Sequence, residues 1–347
     1  MIKHIRRGLM FLPLLLATAA AAQNPPEKIP ASAAPYANDP DIVRFAVFSD
    51  RTGGARQGVF EDAVKKMDLL LPEFVINVGD CIEGYTQDAE QLAREWNEFD
   101  AMVAKLPQKY YRVPGNHDLS FPEAVAQWHQ RYGRTYYHFM YKNALFLVLD
   151  TEDPQGPAVP AGFAQKHAEL KKFEAAATTQ ALQREYHLRF REFVKEVDHY
   201  MKAMISQEQY DYFARVLDEH KNARWTFVFM HKPAWMEPYR NERFLALEKL
   251  LGARPYSVFA GHTHTYHQEQ RNGRQYVVMA TTGGEVIDPF SPQAFDHIAL
   301  VTLDNTQPRI ANIKTEAIYD EKGWRPPLKN GIDQMRTDLG IEAPAAQ

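Results

Sequence analysis

Five short apolar segments of this 347-residue chain run directly into Asp, Asn or His residues. Each segment has the length and composition of a buried β-strand. Sites in open α/β sheets form beyond the carboxyl ends of the strands, so we expect these polar residues at one rim. A single Asp or His after a strand usually caps a turn, but five compatible strand ends favour a shared site. The junctions are VRFAVFS before Asp50, FVINVG before Asp80, YYRVP before Gly115-Asn116-His117-Asp118, WTFVFM before His231, and YSVFA before Gly261-His262-Thr263-His264.

Helix-prone segments alternate with these strands. Residues 58–71 place apolar side chains at helical spacing, and residues 87–105 also have the composition of a helix. Residues 135–141 and 144–150 are separated by two turn-forming residues and predict a β-hairpin. Alternating strands and helices predict an α/β domain with a partly parallel sheet.

Residues 161–220 are highly charged and helix-prone, and they predict a helical insertion within a domain spanning 42–318. Aromatic residues such as Tyr186, Phe190 and Phe193 recur along this segment. We favour a helix face packed on the body of the domain over a face that binds a partner. The insertion is expected to shape access to the site. A Pro-rich tail follows the domain over residues 319–347.

The first residues predict export. A basic stretch precedes an apolar run over residues 8–20, and small residues follow it. Residues 1–22 are therefore predicted to be a cleaved signal peptide, which makes the mature protein periplasmic or secreted. The apolar run is too short to span a bilayer comfortably, so we expect no stable membrane anchor. Residues 23–41 are rich in Pro, Ala and Asn and predict a linker.

The charge of the mature chain argues against nucleic-acid binding. Residues 1–22 contain three basic and no acidic residues, so their removal leaves 37 basic against 44 acidic residues, formally −7. An acidic protein has little non-specific affinity for nucleic acid. A small phosphorylated substrate stays compatible with this charge, because bound metal ions dominate the local field.

The types of side chain at the five junctions indicate the metal. Carboxylates and imidazoles without a set of thiolates suit catalytic Mn, Fe, Zn, Co or Ni. One carboxylate can bridge two cations, and two cations about 3.5–4 Å apart can clamp a phosphoryl group. His262 and His264 are two positions apart, a spacing that sends both side chains the same way in extended backbone. One segment could thus serve both metals.

The order Asp50, Gly79-Asp80, Gly115-Asn116-His117-Asp118, His231 and Gly261-His262-Thr263-His264 resembles the calcineurin-like metallophosphoesterase superfamily, in particular an exported bacterial member. The resemblance implies a four-layer α/β/β/α sandwich that holds one or two divalent or trivalent transition-metal ions. It also implies that Asp80 bridges the two metal positions. Asn116, His231 and His262 would complete one position, and Asp50 and His264 would hold the other.

The resemblance also implies a mechanism for hydrolysis. His117 would be the general acid at the leaving oxygen, oriented by an acidic neighbour, either Asp118 or Glu83. A metal-bound hydroxide would attack phosphorus, because the cations lower the pKa of a bound water.

The first motif departs from the family pattern Asp-x-His, because Thr52 stands where the imidazole is expected. A neutral hydroxyl coordinates weakly, so the position held by Asp50 and His264 is predicted to bind its metal loosely. Arg51 is placed in sequence to contact a substrate phosphate. An ion pair of Arg51 with Glu83 or Asp118 is an equally strong alternative.

The second motif bears on the substrate. Protein serine/threonine phosphatases of this superfamily extend it as GDxxDRG, whereas residues 79–84 read GDCIEG here. This difference favours small-molecule phosphomonoesters or phosphodiesters as substrates. Thr52 motivates an alternative, an exported protein that retains the fold, binds a metal or phosphorylated ligand and has little or no activity. Retention of His117 and of the other motif residues argues for an enzyme.

Overall fold

The computed structural model describes residue 39 and residues 41–156, 159–160 and 162–341. The predicted signal peptide lies outside the described residues, and so does the predicted linker except for Asp39 and Asp41. Within the described part of the chain, no helix is both long and apolar enough to cross a membrane.

Two large sheets form the centre of the domain. The five-stranded sheet has the order β13-β12-β1-β2-β3, and the six-stranded sheet has the order β10-β11-β9-β8-β5-β4. A short parallel pair, β6 and β7, stands apart. The strands are β1 Val43–Phe48, β2 Phe74–Asn77, β3 Lys109–Tyr111, β4 Tyr137–Tyr141, β5 Ala144–Val148, β6 Glu152–Asp153, β7 Met204–Ile205, β8 Trp225–Phe229, β9 Tyr256–Ala260, β10 His267–Arg271, β11 Arg274–Val278, β12 His297–Leu303 and β13 Pro308–Lys314.

The strands that lead into the motifs are parallel within each sheet. In the first sheet β1, β2 and β3 run parallel, and in the second β5, β8, β9 and β11 run parallel. Antiparallel strands lie on one side of the first sheet, as β12 and β13, and at both edges of the second sheet, as β10 and β4. The carboxyl ends of the parallel strands therefore deliver their polar residues to one rim.

Helices cover the outer faces of both sheets. The helices α1, α2 and α3 share a core with the first sheet, and α6 and α7 share a core with the second. The helices are α1 Val59–Leu70, α2 Ala89–Val103, α3 Pro122–Tyr132, α4 Gly162–Ala176, α5 Gln180–Asp198, α6 Gln207–Glu219, α7 Glu242–Leu251 and α8 Ile332–Asp338. The predicted α/β fold with four layers, α/β/β/α, is confirmed.

An aromatic core joins the two sheets. Phe45 stacks on Phe74 with ring centroids 5.2 Å apart, and it meets Phe146 and Phe227 edge-on at 5.4 and 5.0 Å. Strand side chains alternate between faces, so the neighbouring residue Ala46 faces the helices instead. Both faces of β1 are buried from Phe45 to Phe48, which explains why these four residues form an unbroken apolar run.

Two predicted boundaries need correction. The helical insertion predicted over 161–220 is the hairpin of α4 and α5, whereas α6 belongs to the outer layer, where Phe213 and Leu217 pack on the second sheet. The tail predicted from residue 319 contains α8, which packs on Val286 and Ala294 through Ile332. Charge and helical periodicity alone could not separate α6 from the hairpin.

Candidate metal centre

The five strand ends meet at one rim of the sandwich, as predicted. Asp50 follows β1, Asp80 follows β2, and His231 follows β8, and all three side chains are buried. Gly79 has φ +104°, and a Cβ at this position would collide with the His231 ring. Glycine is therefore required for the backbone before Asp80 to approach the imidazole.

The first group of ligand atoms surrounds Nε2 of His231. This atom lies 2.9 Å from Oδ1 of Asn116, 3.1 Å from Nδ1 of His262 and 3.2 Å from Oδ2 of Asp80. Nδ1 of His231 lies 2.8 Å from the main-chain oxygen of Val78, so the neutral ring carries its proton there. Four lone pairs thus converge, and a cation at their centre would satisfy them.

The second group contains Asp50, Asp80 and His264. Nε2 of His264 lies 3.4 Å from Oδ2 of Asp50, and Nδ1 is 2.7 Å from the main-chain oxygen of Glu285, which fixes the ring. Asp80 belongs to both groups, as its predicted bridging position requires. Thr52 is fully buried, and its Oγ1 has no hydrogen-bond partner of good geometry among the described residues.

Burial and close neighbours shift the pKa values of the first group in different directions. Burial alone would lower the pKa of His231, but the carboxylate of Asp80 raises it to about 9. Burial alone would raise the pKa of Asp80, but the imidazoles of His231 and His117 hold it far below its usual range. Burial and the charge of His231 hold the pKa of His262 well below its usual value, so this ring is neutral and able to coordinate. These donors fit the implied transition-metal ions.

The turn after β9 positions its two histidines differently from the sequence expectation. His262 and His264 have φ values of +74° and +53°, so the backbone between them is a tight turn rather than extended chain. The side chains are therefore aimed by the turn at different groups of ligand atoms. The alternation rule for strands does not apply, because β9 ends at Ala260.

His117 lines the cavity above the two groups. Its Nδ1 lies 2.6 Å from the main-chain oxygen of Glu83, which leaves Nε2 as the atom available for proton transfer. The ring is thus oriented by a carbonyl, and the expectation of an orienting carboxylate was wrong. The Glu83 carboxylate instead accepts hydrogen bonds from the main-chain N–H groups of Gly54 and Ala55.

Asp118 and Arg51 lie away from the reacting face. The Asp118 carboxylate is fully buried and accepts from the main-chain N–H groups of Gly115, Cys81 and Ile82, so it holds the motif loops together. Arg51 donates to the main-chain oxygen of Cys81 and forms an ion pair with Glu98 at 2.6 Å. The structure does not bring Arg51 to the site, and its ion-pair partner is neither Glu83 nor Asp118.

A cavity of about 620 Å³ lies over the ligand groups. Its floor includes Asp80, Asn116, His117, His262 and His264, and its opposite wall comes from the hairpin of α4 and α5. The predicted site residues and the predicted helical insertion therefore line the same cavity.

Several residues near the candidate metal centre were not predicted from the sequence. Asp198, at the end of α5, places Oδ1 3.7 Å from Nε2 of His262 and accepts from the Tyr239 hydroxyl at 2.7 Å. Tyr85 places its ring edge-on to His117, and its hydroxyl accepts from Nδ2 of Asn116 at 3.1 Å. Neither residue belongs to a strand-end motif. The only sequence signal was position: Tyr85 closely follows the Asp80 loop, and Asp198 lies within the segment predicted to be helical.

Two solved structures share the fold of this chain at TM-scores above 0.5. The chain aligns with purple acid phosphatase PPD1 from yellow lupin (Lupinus luteus) seeds at 14% identity and a TM-score of 0.53, covering 80% of this chain and 53% of that one. It aligns with PhoD at 13% identity and a TM-score of 0.53, covering 81% and 70%. A dimetal phosphatase from Danio rerio aligns at 16% identity and a TM-score of 0.49, covering 78% and 98%. The chain spans about half the length of the lupin enzyme.

The sequence of the chain matches one protein-family model. No curated protein sequence matches the chain. The model described as calcineurin-like phosphoesterase matches residues 43–266, which include every predicted metal ligand. This family comprises metal-dependent phosphoesterases, and the candidate ligand groups fit that chemistry. The chain therefore belongs to the calcineurin-like phosphoesterase family.

Proposed function

We propose that this protein hydrolyses small phosphomonoesters or phosphodiesters, with His117 as the general acid. The observation that carries the proposal is the position of His117, which lines the same cavity as both ligand groups. Asp80, Asn116, His231 and His262 would hold one ion, and Asp50, Asp80 and His264 the other. When bound, such ions would activate water and withdraw charge from the phosphoryl oxygens.

The protein side chains supply positioning and a proton. The contact of Nδ1 with the Glu83 carbonyl keeps Nε2 of His117 facing the cavity, where a leaving oxygen could receive its proton. The Tyr85 hydroxyl fixes the amide of Asn116 so that Oδ1 faces the first group. The Asp118 carboxylate ties the loops after β2 and β3 together and so keeps Asp80 and Asn116 in register.

The test combines metal analysis with His117→Ala. We expect the variant to retain its metal content and to lose about 10²–10⁴-fold in turnover of alkyl phosphates. The loss should be smaller for p-nitrophenyl phosphate, since p-nitrophenolate leaves without a proton. His129→Ala is a matched control, because His129 lies on α3 and bonds to Gly133. Normal turnover of alkyl esters by metal-loaded His117→Ala would refute the role of His117.

The alternative of a weakly active or inactive ligand-binding protein makes the opposite prediction. It requires metal binding without hydrolysis across monoesters, diesters and several added metals. The buried hydroxyl of Thr52 is the observation in its favour.

We also propose that the protein is exported to the periplasm or the medium. The support is the basic and apolar pattern of residues 1–22. Mass spectrometry of the protein secreted by its host would test cleavage after Ala22. An intact N-terminus on the exported protein would refute cleavage after Ala22, and protein confined to the cytoplasm would refute export.

A further inference from the structure

The wall of the cavity opposite the ligand groups is apolar. Along α5 the side chains of Phe190, Phe193, Val194 and Val197 line the cavity, and Met201 follows just beyond the helix end. Their spacing of three and four residues places them on one face of the helix. The opposite face carries exposed Leu188, and exposed Glu192, Lys195 and Glu196 flank it.

Packing between the two helices of the hairpin does not bury this apolar face of α5 completely. The partner helix α4 has no buried residue among its described positions, and Val194 and Val197 on α5 stay half-buried beside the cavity. Phe193 meets Phe163 and His167 of α4, at ring distances of 6.1 and 5.6 Å, which orders the wall without closing it.

Two charged residues of the wall, Lys171 and Asp198, already have partners, and the ring of His167 stacks on Phe193. Lys171 lies 3.3 Å from the Glu285 carboxylate and 3.1 Å from that of Glu174. Asp198 accepts from the Tyr239 hydroxyl. The hairpin is thereby attached to the loop that carries Glu285, whose main-chain oxygen holds His264. The wall therefore presents mainly apolar surface to a ligand.

We infer that the cavity binds phosphate esters with a large apolar substituent, such as an alkyl or aryl group, which packs on the α5 face while the phosphate lies on the ligand groups. This inference rests on the proposed function. A cavity with a charged floor and an apolar opposite wall matches a molecule with the same division of polarity. A volume of about 620 Å³ accommodates a phosphate with a chain of several carbons.

A series of n-alkyl phosphates tests the inference. Ethyl, butyl, hexyl and octyl phosphates have leaving groups of nearly equal acidity, so their intrinsic reactivity is constant while the apolar area grows. With the metal-loaded mature protein, below micellar concentrations, we expect kcat/KM to rise about two- to fourfold per added methylene until the wall is covered. A flat series accompanied by hydrolysis of ethyl phosphate would overturn the inference and leave the proposed function intact.

Two variants locate the effect on α5. The double variant Val194→Ser/Val197→Ser should reduce the increase per methylene. Leu188→Ser, on the opposite face of the same helix, should reproduce the wild-type series. An unchanged increase in the folded double variant would overturn the assignment to this wall. If the double variant does not fold, Met201→Ser serves the same purpose.

Calorimetry separates binding from turnover. Non-hydrolysable n-alkylphosphonates of the same lengths should bind the metal-loaded protein with affinities that rise by a similar factor per methylene. Rising affinity without hydrolysis of any ester would support the apolar wall and overturn the proposed function. Affinity independent of chain length would overturn the inference whatever the activity.

Discussion

At the scale of single residues, the two groups of ligand atoms differ in how strongly they are expected to bind a metal ion. The first group has four donors, among them His231, whose ring is locked by the Val78 carbonyl. The second group has Asp50, Asp80 and His264, and Thr52 stands where the family resemblance predicts an imidazole. An oriented imidazole is a strong donor to these ions, whereas a neutral hydroxyl is a weak one. The first position should therefore hold its ion more tightly.

Metal titration should reveal this difference. With increasing chelator, the wild-type protein should lose one equivalent of metal before the other. His264→Ala should retain about one tightly bound equivalent, because His264 contributes to the second group alone. His231→Ala should weaken the tight site by about 10–100-fold or more. Mass spectrometry of metal content checks both, and equal release of the two equivalents from wild-type protein would contradict the asymmetry.

Asp150 is a buried carboxyl that lies outside the ligand groups. Burial raises its pKa to about 7, although hydrogen bonds from Thr135 and from the main-chain N–H of Glu152 oppose the shift. The folded-state pKa lies above the unfolded value of 3.8, so the folded state binds more protons. The stabilisation is complete below about pH 4 and is lost as the pH rises through 7.

Replacing this carboxyl by an amide should remove the pH dependence. At pH 8 Asp150→Asn should raise the free energy of unfolding by about 2 kcal/mol, since the buried charge is gone and Oδ1 can still accept from Glu152. Near pH 4 the two proteins should differ little. Urea denaturation across this range provides the measurement, with exposed Asp218→Asn as the control. A difference independent of pH would refute the assignment.

At the scale of elements, the C-terminal segment is anchored by one buried guanidinium. Arg336 of α8 is 4% exposed and donates to the main-chain oxygens of Pro289, Ser291 and Ala294, at 3.0, 2.6 and 2.7 Å. This loop also carries Ile287, which lines the cavity. The helix α8 thus supports one side of the cavity from behind.

Removing the guanidinium should destabilise the domain. Arg336→Met removes three hydrogen bonds to main-chain carbonyls, of which only that of Ser291 keeps another donor among the described residues, the N–H of Ala294. We therefore expect a loss of about 2–4 kcal/mol in the free energy of unfolding. Arg325→Met is the matched control. Its guanidinium is 56% exposed and pairs with Asp320, so the loss should stay below about 1 kcal/mol. Equal effects in urea denaturation would show that the Arg336 contacts contribute nothing specific.

Most strands and the polar residues at their ends followed from the sequence, because a buried strand requires a mainly apolar run and a sharp change to polar residues marks its end. The orientations of side chains that depend on partners distant in sequence could not be predicted. Arg51 pairs with Glu98, 47 positions away on α2, and His117 is held by a main-chain carbonyl, which no residue type identifies. The positive φ of His262 could not be predicted from the sequence either, because a pattern of residue types does not specify this turn.

At the scale of the whole molecule, the proposed metal binding and the proposed binding of the apolar substituent belong to two different parts of the domain. The sandwich supplies the predicted metal ligands from loops after its parallel strands, whereas the hairpin of α4 and α5 supplies the apolar wall. Few polar contacts join the hairpin to the ligands, the main ones running through Lys171 to Glu285 and through Asp198 to His262. Metal binding and preference for apolar substituents should therefore be separable.

Deleting the hairpin tests this separation. Replacement of residues 162–197 by a Gly/Ser linker keeps Asp198 and every predicted metal ligand. We expect the variant to bind the first metal with affinity within about tenfold of wild type, since only outer contacts of the ligands are lost. The dependence of alkylphosphonate affinity on chain length should disappear, because the wall is gone. Lys171→Met, which releases one attachment of the hairpin, is the milder comparison. Loss of tight metal binding by a folded deletion variant would show that the hairpin is part of the metal centre itself.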